Sequence, residues 1–170
     1  MAAVTSSRSA VLTLPTDTQI LVTREFAAPK HLVFKAYTTP ELIRRWWTAK
    51  RGTMRVCDVD LRVGGAWRFV MDADDGQVVA FHGTYTEIVA DERLVSTETF
   101  EGAFPPGHEY VPDDYTLNTL TLTETDGRTT MTLLTETKTK EVRDMIIQTG
   151  MEDGLQDALD LLEETAVSLR

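Results

Sequence analysis

Residues 61–68, LRVGGAWR, and residues 150–155, GMEDGL, are the two segments that decide the fold of this chain. In the first, two glycines lead into an alternation of large and polar residues, which is typical of the start of a β-strand. In the second, a glycine precedes a long stretch with apolar residues at helical spacing. Together they predict a curved sheet closed over one helix, an architecture that usually holds a small apolar molecule.

Segments rich in β-branched and aromatic residues follow one another through most of the chain. We predict strands at residues 20–26, 54–60, 66–71, 78–89, 94–100, 115–123 and 129–137. Short connections such as the Asp-Gly pair at residues 126–127 are typical of hairpins and make neighbouring strands antiparallel. The connection 101–114 is too long for a hairpin, so it is either a lid or binding loop or a variable surface excursion.

Proline and capping signals predict helices on both sides of this strand-rich region. Pro29 and Pro40 suit the first turns of two short helices, the second of which ends near Trp47. Thr139 can cap a short segment before Gly150, and the long helix beyond carries one apolar stripe. That stripe consists of Met151, Leu155, Ala158, Leu159, Leu162 and Ala166.

These patterns predict an α+β fold. We expect a curved antiparallel sheet of seven strands, two short helices, and one long C-terminal helix packed on the concave face. Residues 1–16 are small and polar and are expected to form a flexible N-terminal tail. Residues 17–170 are expected to form a single domain, because a chain of this size suits one hydrophobic core.

The composition excludes several classes of function. A formal charge of -10 argues against nucleic-acid binding, which needs basic surface to displace counterions from phosphates. No apolar run is long enough to cross a bilayer and no signal-peptide pattern is present, so we expect a cytoplasmic protein without membrane insertion. The single cysteine, Cys57, excludes an intrachain disulfide and is expected to be buried and inert.

Motifs for metal or cofactor chemistry are missing from the sequence. His108 and Glu109 begin like a zinc-protease helix, but no second histidine follows at the required spacing and Pro112 interrupts the segment. His31 and His82 stand far apart, so we expect no metal site. There is also no phosphate-binding glycine loop and no nucleophile elbow, and we expect no cofactor.

Short motifs spread along the chain resemble those of a known superfamily. They are residues 26–29 FAAP, 39–42 TPEL, 46–47 WW, 60–67 DLRVGGAW, 83–88 GTYTEI, 92–95 ERLV and 150–154 GMEDG. In these motifs the chain resembles the helix-grip (START-like, SRPBCC) superfamily, and more closely its bacterial branch related to the C-terminal domain of the activator of heat-shock-protein-90 ATPase. The resemblance covers residues 18–162 and implies the helix-grip fold, but it implies no agreed catalytic set.

Large side chains at alternate positions of two adjacent predicted strands indicate a pocket. Trp67, Phe69 and Met71 share one face of their strand, and Phe81 and Tyr85 share one face of the next. If these faces are concave, the aromatic groups either line a cavity or fill the core. The residues predicted to contact a ligand are Trp46, Trp47, Trp67, Phe69, Met71, Phe81, Tyr85, Phe100, Tyr115, Met151, Gly154 and Leu155.

Gly154 lies inside the long helix, where a glycine costs about 1 kcal/mol relative to alanine. Some structural gain should offset this cost. We expect Gly154 either to leave volume above the concave face or to allow close packing of the helix on a strand.

Three functions fit these features. The first is binding of a small apolar or amphipathic ligand, with weak catalysis or none, between the sheet and the last helix. The second is a cyclase or hydrolase reaction in the same cavity, with Glu98, His82 or Tyr115 as acid or base. Glu98 is expected to point inward, where burial would raise its pKa.

The third function is a protein-interaction module such as a chaperone cofactor. It would use a basic cluster, Arg44, Arg45, Lys50 and Arg51, to contact an acidic partner. A homodimer could form through an exposed sheet edge or through the region of residues 46–47.

Overall fold

Eight strands and four helices make up residues 10–101 and 115–170, the part of the chain that the computed structural model describes. The strands are β1 Val11–Thr13, β2 Gln19–Phe26, β3 Gly52–Val59, β4 Ala66–Ala73, β5 Val78–Val89, β6 Arg93–Phe100, β7 Thr116–Thr125 and β8 Arg128–Glu136. The helices are α1 Lys30–Thr38, α2 Pro40–Ile43, α3 Lys140–Gln148 and α4 Met151–Ser168.

All of these strands form one antiparallel sheet with the order β1-β2-β8-β7-β6-β5-β4-β3. From β3 to β8, neighbours in sequence are neighbours in the sheet, which confirms the predicted meander. Bulges interrupt the register between Met54 and Val56 and between Tyr85 and Glu87. Because a bulge bends its strand and increases the local twist, these two positions contribute to the curvature of the sheet.

The N-terminal segment differs from the prediction, because residues 11–13 form a strand where we expected a flexible tail. This strand, β1, pairs with β2 and raises the number of strands from the predicted seven to eight. The backbone of Ala10 also exchanges two hydrogen bonds with the side chain of Gln156 in α4, at 2.9 and 2.8 Å. A three-residue edge strand is too short to show an alternation, so local sequence could not reveal it.

The C-terminal region contains the predicted long helix, α4, and the short segment before Gly150 is itself a helix, α3, so there are four helices where we predicted three. Thr139 caps α3 as expected, with its hydroxyl oxygen accepting a hydrogen bond from the backbone N–H of Val142 at 3.2 Å. Gly150 separates α3 from α4 with a φ of 76°, a left-handed conformation that favours glycine. None of the helices in the described ranges is long and apolar enough to span a membrane.

The hydrophobic core lies between one face of the sheet, called here the inner face, and helices α1 and α4. Val33 of α1 and Leu159 and Leu162 of α4 are fully buried. They belong to the same apolar cluster as Phe26 of β2 and Met131 of β8. Burial of each such side chain contributes roughly 1.5 to 3 kcal/mol, so the apolar stripe of α4 holds this helix on the sheet.

A buried ion pair joins α4 to the sheet within this core. Arg24, on the inner face of β2, is 1% exposed and pairs with Asp160 at 2.6 Å and with Glu163 at 3.2 Å. The second carboxylate oxygen of Glu163 accepts a hydrogen bond from the backbone N–H of Ala27 at 2.9 Å. These contacts set the position of α4 along β2.

Candidate functional site

The inner face of the sheet has a filled half and an accessible half. In the filled half, Leu94 and Leu120 lie opposite each other and are buried together with Leu159 of α4. Further along the same face the side chains keep part of their surface accessible to water. This accessible half consists of Phe69, Phe81, Ser96, Glu98, Phe100, Asn118 and Thr135. The first turns of α4 are also incompletely buried, because Met151 and Leu155 are only half-buried.

Aromatic rings form one wall of the accessible half. Trp47, which follows α2, packs edge-on against Phe69 and Phe81 with ring centroids 5.4 and 6.0 Å apart. Phe81 in turn lies 5.1 Å from Phe100, and Phe69 lies 4.9 Å from Trp67. Five of the residues predicted to contact a ligand therefore form one continuous aromatic surface.

Gly83 allows Trp67 to lie close to the sheet. The indole N–H of Trp67 donates a hydrogen bond to the backbone carbonyl of Thr97 at 3.2 Å. A Cβ atom at Gly83 would stand 1.8 Å from that same carbonyl oxygen and 2.7 Å from the indole nitrogen. A larger residue at this position would therefore displace either the β6 backbone or the indole.

Polar side chains form a second wall. The hydroxyl of Thr135 donates a hydrogen bond to Oδ1 of Asn118 at 2.8 Å. Asn118 also acts on Glu98, because hydrogen bonding from its side chain lowers the pKa of that carboxyl group. Thr135 and Asn118 therefore place polar groups beside Glu98.

The carboxyl group of Glu98 has a strongly raised pKa. Burial raises its pKa from 4.5 to about 7, and the hydrogen bond from Asn118 opposes that rise. Among the described residues, no Lys, Arg or His forms an ion pair with it. The strand register places Glu98 on the inner face, the orientation that strand alternation predicts, and burial raises its pKa.

Two tyrosines share this enclosed environment. Burial, and then the charge of Glu98, raise the pKa of Tyr37. Burial also raises the pKa of Tyr85, with smaller contributions from Tyr37 and Cys57. Tyr85 is among the residues predicted to contact a ligand, but Tyr37 is not, because it lies on α1 and comes near Glu98 only through the packing of that helix. Asn118 is not among them either, although its alternation with Leu120 along the strand is visible in the sequence.

Trp46 and Tyr115 do not belong to the accessible half of the inner face, where the predicted ligand-binding role would place them. Trp46 is 6% exposed, stacks on Tyr37 at 5.3 Å, and donates its indole N–H to the carbonyl of Ala36 at 3.0 Å. Tyr115 is 44% exposed, and the ammonium group of Lys138 lies 4.7 Å from the centre of its ring. Trp46 is therefore a core residue, and Tyr115 is a surface residue.

His82 lies on the outer face of the sheet, so the prediction that it stands near the pocket is wrong. Its Nδ1 is 2.9 Å from Glu101, whose carboxylate also accepts two hydrogen bonds from Arg68, both at 3.0 Å. Arg68 is the main reason that the pKa of Glu101 is lowered. These residues border an open depression of about 540 Å³. His82 follows Phe81 in β5, and side chains alternate between faces, so the two point in opposite directions.

The remaining predictions about reactive groups concern the cysteine, the metal and the long connection. Cys57 is buried, which raises the pKa of its thiol, and its sulfur lies 3.7 Å from the carbonyl of Pro40. In residues 10–101 and 115–170, no three His, Cys, Asp or Glu side chains come together as a metal site would require. His108, Glu109 and the rest of residues 102–114 lie outside the described residues.

Most of the basic cluster is engaged by the chain itself. Arg44 donates a hydrogen bond to the carbonyl of Met54 at 2.9 Å, and Arg45 donates to the hydroxyl of Ser168 at 3.2 Å. Arg51 forms an ion pair with Asp157 of α4 at 2.9 Å. These contacts tie the segment between α2 and β3 to its neighbours.

Gly154 makes room for Arg51 and faces neither a strand nor an empty volume. A Cβ atom at Gly154 would lie 2.7 Å from Nη1 of Arg51 and would meet no strand atom within 4 Å. Both expectations from the sequence are therefore wrong. Arg51 comes from a segment about a hundred residues earlier, so no local pattern could have indicated this contact.

Gly154→Ala is expected to stabilise the protein by up to about 1 kcal/mol. Alanine favours the helix, and the guanidinium tip that it would meet belongs to a flexible side chain that is 46% exposed and can move aside. Urea unfolding of Gly154→Ala measures the effect, and the same substitution in an Arg51→Ala background is the control. A loss of stability in both backgrounds would contradict this explanation of the glycine.

An antiparallel sheet that closes over a C-terminal helix defines an α+β protein of the helix-grip class. The chain belongs to the family described as Activator of Hsp90 ATPase homolog 1-like protein, whose model matches residues 27–166. This match confirms the resemblance inferred from the short motifs.

Solved structures with the same fold cover nearly the whole chain. A protein from Rhodobacter sphaeroides is 23% identical, with a TM-score of 0.83, and the match covers 95% of this chain and 100% of the other. A protein from Nitrosomonas europaea is 26% identical, with a TM-score of 0.76 and coverage of 91% and 97%. A protein from Mycobacterium smegmatis is 24% identical, with a TM-score of 0.78 and coverage of 91% and 95%. No curated protein matches the chain.

Proposed function

We propose that this protein binds a small amphipathic molecule in a cavity between the accessible half of the inner face and the helices. The observation that carries this proposal is the state of Glu98 and Tyr37. Burial raises the pKa of both groups, yet both side chains are only half-buried and keep surface that water can reach. Such surface beside a filled core is what a recess for a small ligand would provide.

The two walls suggest how a ligand would be held. The aromatic wall, with Trp47, Phe81 and Phe100, offers apolar surface whose burial contributes roughly 25 cal/mol per Å². The polar wall offers a small number of oriented hydrogen-bonding groups, chiefly Glu98 and Asn118. Small-molecule sites commonly combine a mostly apolar lining with a few polar groups that orient the ligand.

Titration with the apolar fluorescent dye N-phenyl-1-naphthylamine tests the cavity. We expect saturable binding of one dye per chain, with enhanced emission. Ser96→Leu, which fills the accessible half, is expected to weaken binding about tenfold or more. The matched control is Thr119→Leu, on the outer face of the neighbouring strand β7. Absence of saturable binding, or equal binding by both variants, would overturn the proposal.

Catalysis on the bound molecule is a second candidate function, and the pKa of Glu98 is the observation that favours it. A carboxyl group with a pKa of about 7 can both donate and accept a proton at neutral pH. Once a ligand has been recovered from the purified protein, mass spectrometry after prolonged incubation with a large excess of it will show whether it is converted. Unchanged ligand would leave binding alone as the function.

A further inference from the structure

We propose that the ligand is an organic cation, a protonated amine on an aromatic or aliphatic body, whose ammonium group pairs with Glu98. This inference rests on the proposed function, because it requires the inner cavity. It names the chemical class of ligand that the cavity selects.

Glu98 forms no ion pair with any residue in the part of the chain that the structure describes. A carboxylate removed from water is costly unless a cation or several hydrogen bonds compensate it. The same fold compensates the buried charge of Arg24 with two carboxylates, at 2.6 and 3.2 Å. Among the described residues, the hydrogen bond from Asn118 opposes the effect of burial on Glu98, and no cation does so. Residues 102–114, which follow β6 in sequence, contain one histidine, His108, and neither lysine nor arginine.

The carboxylate of Glu98 keeps free positions for accepting hydrogen bonds. An ionised carboxyl group has two oxygens with about four acceptor positions in total. Asn118 accounts for one of them. The free positions can accept two or three N–H groups, which is what an ammonium group offers.

Aromatic residues lie near Glu98 on the inner face of the sheet. On the inner face of β6, Glu98 lies between Ser96 and Phe100, whose partners on β5 are Tyr85 and Phe81. The faces of aromatic rings carry partial negative charge and attract cations. An anionic ligand would be repelled by both the rings and the carboxylate, and a neutral ligand would leave Glu98 uncompensated. The site is therefore electrostatically complementary to a cation with an apolar body.

Three probes that share one ring system but differ in charge show whether binding depends on charge or on shape. They are 1-naphthylmethylamine, 1-naphthalenemethanol and 1-naphthoic acid. At pH 8, where most Glu98 carboxyl groups are ionised, calorimetric titration is expected to show the amine binding about tenfold more tightly than the alcohol. The acid is expected to bind more weakly than the alcohol.

Two variants assign the preference to Glu98. In Glu98→Gln the amine and the alcohol are expected to bind with affinities within about threefold of each other. The matched control, Glu101→Gln, removes a carboxylate from the outer face and is expected to keep the preference of the unmodified protein. Retention of the tenfold preference in Glu98→Gln would overturn the proposal.

The remaining outcomes distinguish this inference from the proposed function. If the alcohol or the acid binds as tightly as the amine, and Ser96→Leu weakens that binding, the cavity stands and the cationic ligand is ruled out. If none of the three probes binds and the dye also fails, the proposed function itself is overturned.

Discussion

Glu98→Gln is expected to stabilise the folded protein at pH 8 and to change its stability little at pH 5. Burial raises the pKa of Glu98 from 4.5 to about 7, so the folded state binds this proton more tightly than the unfolded state does. Stability is therefore lost as the pH rises from 4.5 through 7, by up to about 3 kcal/mol for this group alone. Glutamine keeps the size of the side chain and removes the charge.

Urea unfolding of both proteins at pH 5 and pH 8 measures this effect. The free energy of unfolding of the unmodified protein should fall between the two values by more than that of Glu98→Gln. Glu101→Gln is the contrasting variant. Because Arg68 lowers the pKa of Glu101, loss of this carboxylate should destabilise the protein at pH 8. Parallel pH profiles for Glu98→Gln and the unmodified protein would show that Glu98 is not an uncompensated buried acid.

Arg24→Met is expected to destabilise the protein by about 3 kcal/mol or more. Methionine fills much of the same volume, but it leaves Glu163, which is only 13% exposed, without its cation. Asp160 is 39% exposed and can turn to solvent, so Glu163 accounts for most of the expected loss. Thermal and urea unfolding at pH 7 measure the effect.

Two further variants separate lost charge pairing from lost packing. In Arg24→Met/Glu163→Gln the buried charge is gone and an acceptor remains for the backbone N–H of Ala27, so much of the stability should return. Arg93→Met breaks an exposed ion pair with Glu87, 42% and 47% accessible, and should cost less than about 1 kcal/mol. Equal losses for Arg24→Met and Arg93→Met would contradict a structural role for the buried pair.

Arg24 and Glu98 are charged groups in the same core, and the structure compensates their charges differently. Arg24 is compensated within the chain and stabilises the position of α4, whereas Glu98 has no cationic partner among the described residues, at a cost to stability. Uncompensated groups of this kind are common at functional sites, where stability is reduced in favour of binding or chemistry. This contrast is the reason to look for the ligand at Glu98.

Alternation along a strand predicts which side chains share a face of that strand. Phe69, Phe81, Glu98 and Phe100 lie on the inner face of the sheet, each on the face of its own strand that alternation predicts. His82 follows Phe81, so the same alternation places it on the outer face. Trp46 and Trp47 follow a short helix, where neighbours diverge, so one lies in the core and the other faces the aromatic wall.

The class of fold could be predicted from the sequence alone, because it depends on patterns among neighbouring residues. These patterns are alternation along strands, helical periodicity, and the helix signals at Pro29, Pro40 and Gly150. The contacts that define the site join residues far apart in sequence, such as Arg24 with Glu163, separated by 139 positions. The closeness of Tyr37 to Glu98 and of Arg51 to Gly154 likewise arises only when the helices pack. Burial, and with it the pKa of Glu98, depends on every layer around the group, and therefore only the tertiary structure could reveal it.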